Sequence, residues 1–150
     1  MANTSRIKIL VEPEVRAWLG ERFQATFSEE TMPIITGSSH DVDAVSADGS
    51  IIADILSNRA KTRTGRSNTG GLRKAETDFW RLSAVTTSNV VTRLMVFTNA
   101  DFMKVVRKRI GDPSTMKVEF LHCPLKRGTQ HELDRVLDDA SREQRASGDK

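Results

Sequence analysis

Apolar residues recur along this chain at two spacings, and the switches between them mark its elements. Val15, Trp18, Leu19 and Phe23 fall at helical spacing within residues 12–23, where Glu12 and Glu14 would occupy a first turn that favours acids. Residues 24–36, rich in Thr, Phe and Ile, predict a strand, although Pro33 argues against an unbroken central one. Two strand-forming runs follow, at about 40–47 and 50–56, joined around Asp48-Gly49, the dipeptide most typical of a tight hairpin. Residues 57–71 hold no large apolar side chain and read as a mobile surface loop. A helix is expected over 72–86, with Leu72, Ala75, Phe79 and Leu82 facing inward, then an apolar strand over 90–98. Asn99 can cap a helix carrying Phe102, Val105, Val106 and Ile110, which Gly111-Asp112-Pro113 ends. A strand at about 116–122 and a charged helix near 129–144, with Leu133, Val136, Leu137 and Ala140 in one stripe, complete the chain, leaving ASGDK as a disordered tail. The order of helix, three strands, helix, strand, helix, strand and helix predicts an α/β fold, a mixed sheet flanked by helices. Residues 1–127 would form the domain and 128–150 a C-terminal helix and tail.

The hairpin has a chemical consequence. If Asp48-Gly49 is a two-residue turn, Val45 faces Ile52, Asp43 faces Asp54 and Asp41 faces Leu56, all on one side of the ribbon. Val42, Ala44, Ile51, Ala53 and Ile55 then make the opposite, core face. Opposed aspartates would have Cβ atoms roughly 5 Å apart, where like charges oppose pairing unless something neutralises them. A divalent cation does so, and magnesium is held by one or two carboxylates with water and substrate phosphate oxygens, so the pair suits metal-dependent phosphodiester chemistry. The plain alternative is two acids repelling weakly on a wet face.

Composition narrows the field. At 150 residues, 37% hydrophobic and 29% charged, the chain fits one globular domain. No apolar run approaches the roughly 18 residues of a membrane span. The first residues lack the pattern of a secretory signal, and the single cysteine, Cys123, offers neither a disulfide nor a thiolate cluster. A cytoplasmic protein without structural zinc is the expectation. Net charge is only +3, but Arg59, Lys61, Arg63, Arg66, Arg73 and Lys74 form a block without an acid. Such cations in a Gly/Ser/Thr loop can grip the phosphates of DNA, or of RNA; a solvated loop is the other reading. Lys104, Arg107, Lys108 and Arg109 complement a helix dipole in any protein. Gly65 and Gly70 lack the Lys-Ser/Thr of a phosphate-binding loop, and His40, His122 and His131 have no metal-binding spacing, though His40, near the hairpin entrance, could assist a proton transfer.

The hairpin acids in D43-x10-D54-x-L56, set after a helix and a strand and before a helix and a strand, resemble the core of the PD-(D/E)XK nuclease superfamily, whose core is helix, three strands, helix, strand. The resemblance covers roughly residues 12–98. It implies Asp43 and Asp54 as ligands of Mg2+ or Mn2+, with DNA as substrate. Glu12 or Glu14 could add an outer ligand. The chain departs from the pattern at position 56, where Leu56 replaces the lysine that orients water and offsets charge in that family; Lys61 or Lys74 would have to stand in. The alternative the departure opens is a catalytically inactive nuclease-fold module for nucleic-acid binding or protein assembly, with the C-terminal helix docking a partner or a second copy.

Overall fold

Both faces of one sheet are covered by apolar layers, and this arrangement orders the whole chain. The computed structural model describes residues 4–62 and 64–148, with side chains from 5 to 139. Its elements are α1 (Thr4–Phe23), β1 (Phe27–Pro33), β2 (Ser39–Ser46), β3 (Ile51–Leu56), α2 (Thr69–Ser83), β4 (Thr92–Phe97), α3 (Ala100–Ile110), a short 3-10 helix (Pro113–Met116), β5 (Val118–His122) and α4 (Arg127–Gly148). The five strands lie in the order β1-β2-β3-β4-β5. The pairs β1/β2 and β2/β3 are antiparallel, while β3/β4 and β4/β5 are parallel. This is the mixed sheet flanked by helices that the pattern predicts. Among the described residues no helix is long and apolar enough to cross a membrane.

Strand periodicity assigns the layers. Ile52 and Leu56 face α2 and α3, joining Phe79, Leu82, Phe102 and Val106, whereas Ala53 and Ile55 face α1 and α4, joining Val11, Val15, Leu19 and Leu133. The interior strand β4 is apolar on both sides, with Leu94, Met95, Val96 and Phe97 all inaccessible, as a parallel strand between two helical layers requires. Pro33 ends β1 at the sheet edge, where its missing N–H breaks no interior ladder.

Four expectations are corrected. The first helix begins at Thr4 and runs through Pro13, because Val11, Val15 and Leu19 form one fully buried stripe whose packing outweighs the proline. Glu12 and Glu14 are therefore mid-helix, not in a first turn. The second helix starts at Thr69 rather than 72, since the Asn68 side chain accepts the Gly71 N–H and caps it. The segment before it carries its own backbone bonds, Asn68 N–H to the Ala60 carbonyl and Thr62 N–H to the Arg66 carbonyl, with a bridge between Lys61 and Ser67, so it is a structured excursion rather than a featureless loop. Finally, α4 extends from Arg127 to Gly148 and takes in most of the expected tail. Its Leu133 and Val136 are buried within the chain; the side chain of Ala140 and the residues after 148 lie outside the described part.

Candidate metal centre

The hairpin keeps the predicted register, with Ala44 paired to Ala53 and Val45 to Ile52. The connection is longer than two residues, from Ser46 to Ile51, and is held by Asp48 Oδ1, which accepts from Ser46 Oγ, the Ser50 N–H and Ser50 Oγ, while Gly49 supplies a φ of 76°. The surprise lies one step along. Against β1, Ser28 pairs with Val45 but Glu30 pairs with Val42, so β2 holds an extra residue at Asp43–Ala44. This bulge moves Val42 from the face predicted for it onto the layer of Val45, Ile52 and Leu56. It also frees the Asp43 side chain from simple alternation: its Oδ2 accepts the Ile55 N–H at 2.8 Å. Arg16 on α1 fixes the bulge from the other side, donating from Nε to the Asp43 carbonyl at 2.8 Å.

Asp54 occupies a different environment from the half-wet face expected. It is 1% exposed and faces α2. His40 Nε2 and Asp54 Oδ2 lie 2.7 Å apart, and Asp54 Oδ1 is buried with no hydrogen-bond partner. Burial pushes the Asp54 carboxyl up to about 6, with the bond to His40 opposing it. For His40 burial disfavours the cation, but Asp54, Asp78 and Asp43 outweigh it and raise the imidazole above its ordinary value. Asp78, on the inner side of α2, accepts at Oδ2 from Lys74 Nζ at 2.8 Å, and donor atoms of His40, Asp54 and Asp78 all lie within 4.8 Å of one another.

Asp43 senses both helical layers. Burial raises its carboxyl, the Ile55 N–H and the charges of Lys74 and Lys8 oppose that, and Asp78 adds to it. On α1, burial first and Asp43 second push Glu12 up to about 7, although Arg16 Nη2 donates to Glu12 Oε1 at 2.9 Å. Glu14 is turned elsewhere: its Oε2 accepts the Lys126 N–H at 2.7 Å and its Oε1 accepts from Thr129 Oγ1, so it caps α4. Of the two candidate outer acids, Glu12 is the one that Asp43 of the hairpin perturbs.

The basic block is divided. Arg59 is tied to Asp138 of α4 at 2.9 Å, Lys74 to Asp78, while Lys61, Arg66 and Arg73 are exposed; Arg63 lies outside the described residues. For Lys74 burial disfavours the ammonium, but Asp78 first, then Asp43 and Asp54, outweigh it and raise the group above its ordinary value. Leu56 is 3% exposed in the core of the α2 layer, with Phe97 and Phe102. Trp80, whose neighbour Phe79 is buried, stands 54% exposed on the outer side of α2. Cys123 is buried, and burial followed by Glu14 pushes its thiol up to about 11, which leaves it inert at neutral pH. Sequence reasoning missed Asp78 and Arg16. Each stands four residues after a partner on the same helix, Lys74 and Glu12, and that spacing was the available signal. Comparison with family models, curated proteins and solved structures finds no match to this chain.

Proposed function

We propose that the protein is a metal-dependent nuclease that hydrolyses phosphodiester bonds in DNA, with its site at the bulged hairpin. The observation that carries this reading is the position of Lys74: its Nζ lies 2.8 Å from Asp78 Oδ2, and Asp78 brings a donor atom within 4.8 Å of one of Asp54, so α2 supplies beside Asp54 the cation that Leu56 cannot. The order of helix, three strands, helix and strand, with the two acids on β2 and β3, supports the resemblance to the PD-(D/E)XK nucleases. The donor set fits a divalent cation, because Asp54 Oδ1 is a buried carboxylate oxygen with nothing else to satisfy it. When bound, such a cation activates water and offsets charge on the phosphate. In this reading Asp43 and Asp54 hold the cation, Lys74 neutralises charge developing on the phosphoryl oxygens, and the exposed Lys61, Arg66 and Arg73 hold the flanking phosphates.

Incubation of single- and double-stranded DNA with the protein and Mg2+ or Mn2+ tests it. Wild type is expected to cut, and Asp43→Asn and Lys74→Met are expected not to. A protein that binds DNA without cutting under either metal overturns it in favour of a second reading, which the burial of Leu56 among core aromatics supports: a catalytically inactive module for nucleic-acid binding or protein assembly. That reading expects salt-dependent DNA binding that survives Asp54→Asn.

A further inference from the structure

Three observations converge on the α2 side of the site. His40 from β2, Asp54 from β3 and Asp78 from α2 bring one donor atom each within 4.8 Å of the others. Asp54 Oδ1, in a residue 1% exposed, has no donor facing it. A buried carboxylate oxygen left in that state is costly, and a cation is the group that would relieve it. The third observation is the ammonium already present: Lys74 Nζ sits 2.8 Å from Asp78 Oδ2, yet its side chain is 64% exposed, so it holds Asp78 from the solvent side and is free to withdraw.

We infer that His40, Asp54 and Asp78 form a site for a borderline transition-metal cation of the manganese-to-zinc kind in preference to magnesium, and that Lys74 competes with it, leaving Asp78 when the cation enters. This rests on the metal-dependent reading above, sharing Asp54 and the premise that the hairpin region binds a cation and adding His40 and Asp78 as ligands, but it does not depend on DNA cleavage. The selectivity follows from the donors. Magnesium takes oxygen ligands in a strict octahedron, whereas an imidazole nitrogen beside carboxylates suits the later divalent metals. His40 would bind as the neutral imidazole, so the proton it shares with Asp54 is released to solvent as the metal–nitrogen bond forms. Donors at about 2.0 to 2.2 Å from one ion stand at most about twice that apart, and Asp78, the least buried of the three, is the side chain with room to adjust to that spacing. Lys74 has somewhere to go, since it also lines a pocket of about 350 Å³ at the start of α2 with Ser67, Thr69, Gly70 and Gly71.

Calorimetric titration of the full chain with Zn2+, Mn2+ and Mg2+ separately tests the inference, with folding of each variant checked by circular dichroism. One equivalent of Zn2+ or Mn2+ is expected to bind roughly tenfold or more tighter than Mg2+. Binding should be lost in His40→Gln and Asp78→Asn and become several-fold tighter in Lys74→Met, where the competitor is gone. Substoichiometric Mn2+ should broaden the His40 imidazole resonances before those of His122 and His131. If His40→Gln does not fold, Asp78→Asn and Lys74→Met decide between them. Loss in Asp43→Asn with retention in Asp78→Asn, or a preference for Mg2+, moves the cation to the Asp43–Asp54 pair and overturns this inference alone. Absence of any cation binding by folded wild type overturns it together with the metal-dependent reading. Cation binding as described by a protein that leaves DNA uncut upholds the inference while the nuclease reading falls.

Discussion

Glu12 carries the clearest single-residue consequence for stability. Burial and the neighbouring Asp43 push its carboxyl from an ordinary 4.5 to about 7. The folded chain therefore holds a proton there that the unfolded chain has released, so this contribution is complete below about pH 4.5 and is lost as pH rises through about 7. At about 1.4 kcal/mol per pH unit of displacement, the ionised side chain costs on the order of 3 kcal/mol at pH 8. Glu12→Gln, which keeps a partner for Arg16, should raise the urea midpoint at pH 8 and leave it nearly unchanged at pH 4.5. Equal midpoint changes at the two values would show that Glu12 ionises freely. Its candidacy was visible in the sequence as an acid on the first helix, but its partnership with Asp43 was not. A helix and a strand residue 31 positions apart meet only through packing.

At the scale of elements, two end caps hold the site's scaffold. Glu14 accepts the Lys126 N–H and the Thr129 hydroxyl, and so ties α1 to the start of α4. Glu14→Ala should cost about 1 to 2 kcal/mol, read as a lower melting temperature. Asn68 caps α2, and a Cβ on Gly71 would come within 2.7 Å of Asn68 Nδ2. Gly71→Ala should therefore displace the cap at a cost of about 1 kcal/mol in a denaturant titration, although alanine is the better helix former elsewhere. The helix over Ala100–Ile110, with Asn99 accepting from the Phe102 N–H and Gly111 ending it at a φ of 93°, was legible residue by residue, because capping is local chemistry. The true start of α1 was not legible: nothing near Pro13 says that Val11 and Val15 will be covered by the sheet and α4.

For the whole molecule, the basic block divides into charges paired within the fold and charges left exposed. Arg59→Ala should lower stability by up to about 1 kcal/mol by releasing Asp138 on α4 and, on the proposed nuclease reading, change DNA affinity little. Lys61→Ala and Arg66→Ala should do the reverse, each reducing the slope of log affinity against log salt by about 0.9 in a fluorescence-anisotropy titration. Identical slopes for the variants and wild type would remove the loop from any phosphate contact. The sequence by itself determined the α/β class, the order of elements, the hairpin register and the two aspartates it carries, because strand alternation, turn chemistry and caps act over a few residues. Only the tertiary structure decided that β2 bulges at Asp43, that Asp54 is shut from solvent against His40, and that Asp78 and Lys74 close over it from α2. Those outcomes depend on which faces two helical layers bury and on fields summed over groups distant in the chain, and neither is encoded at any single position.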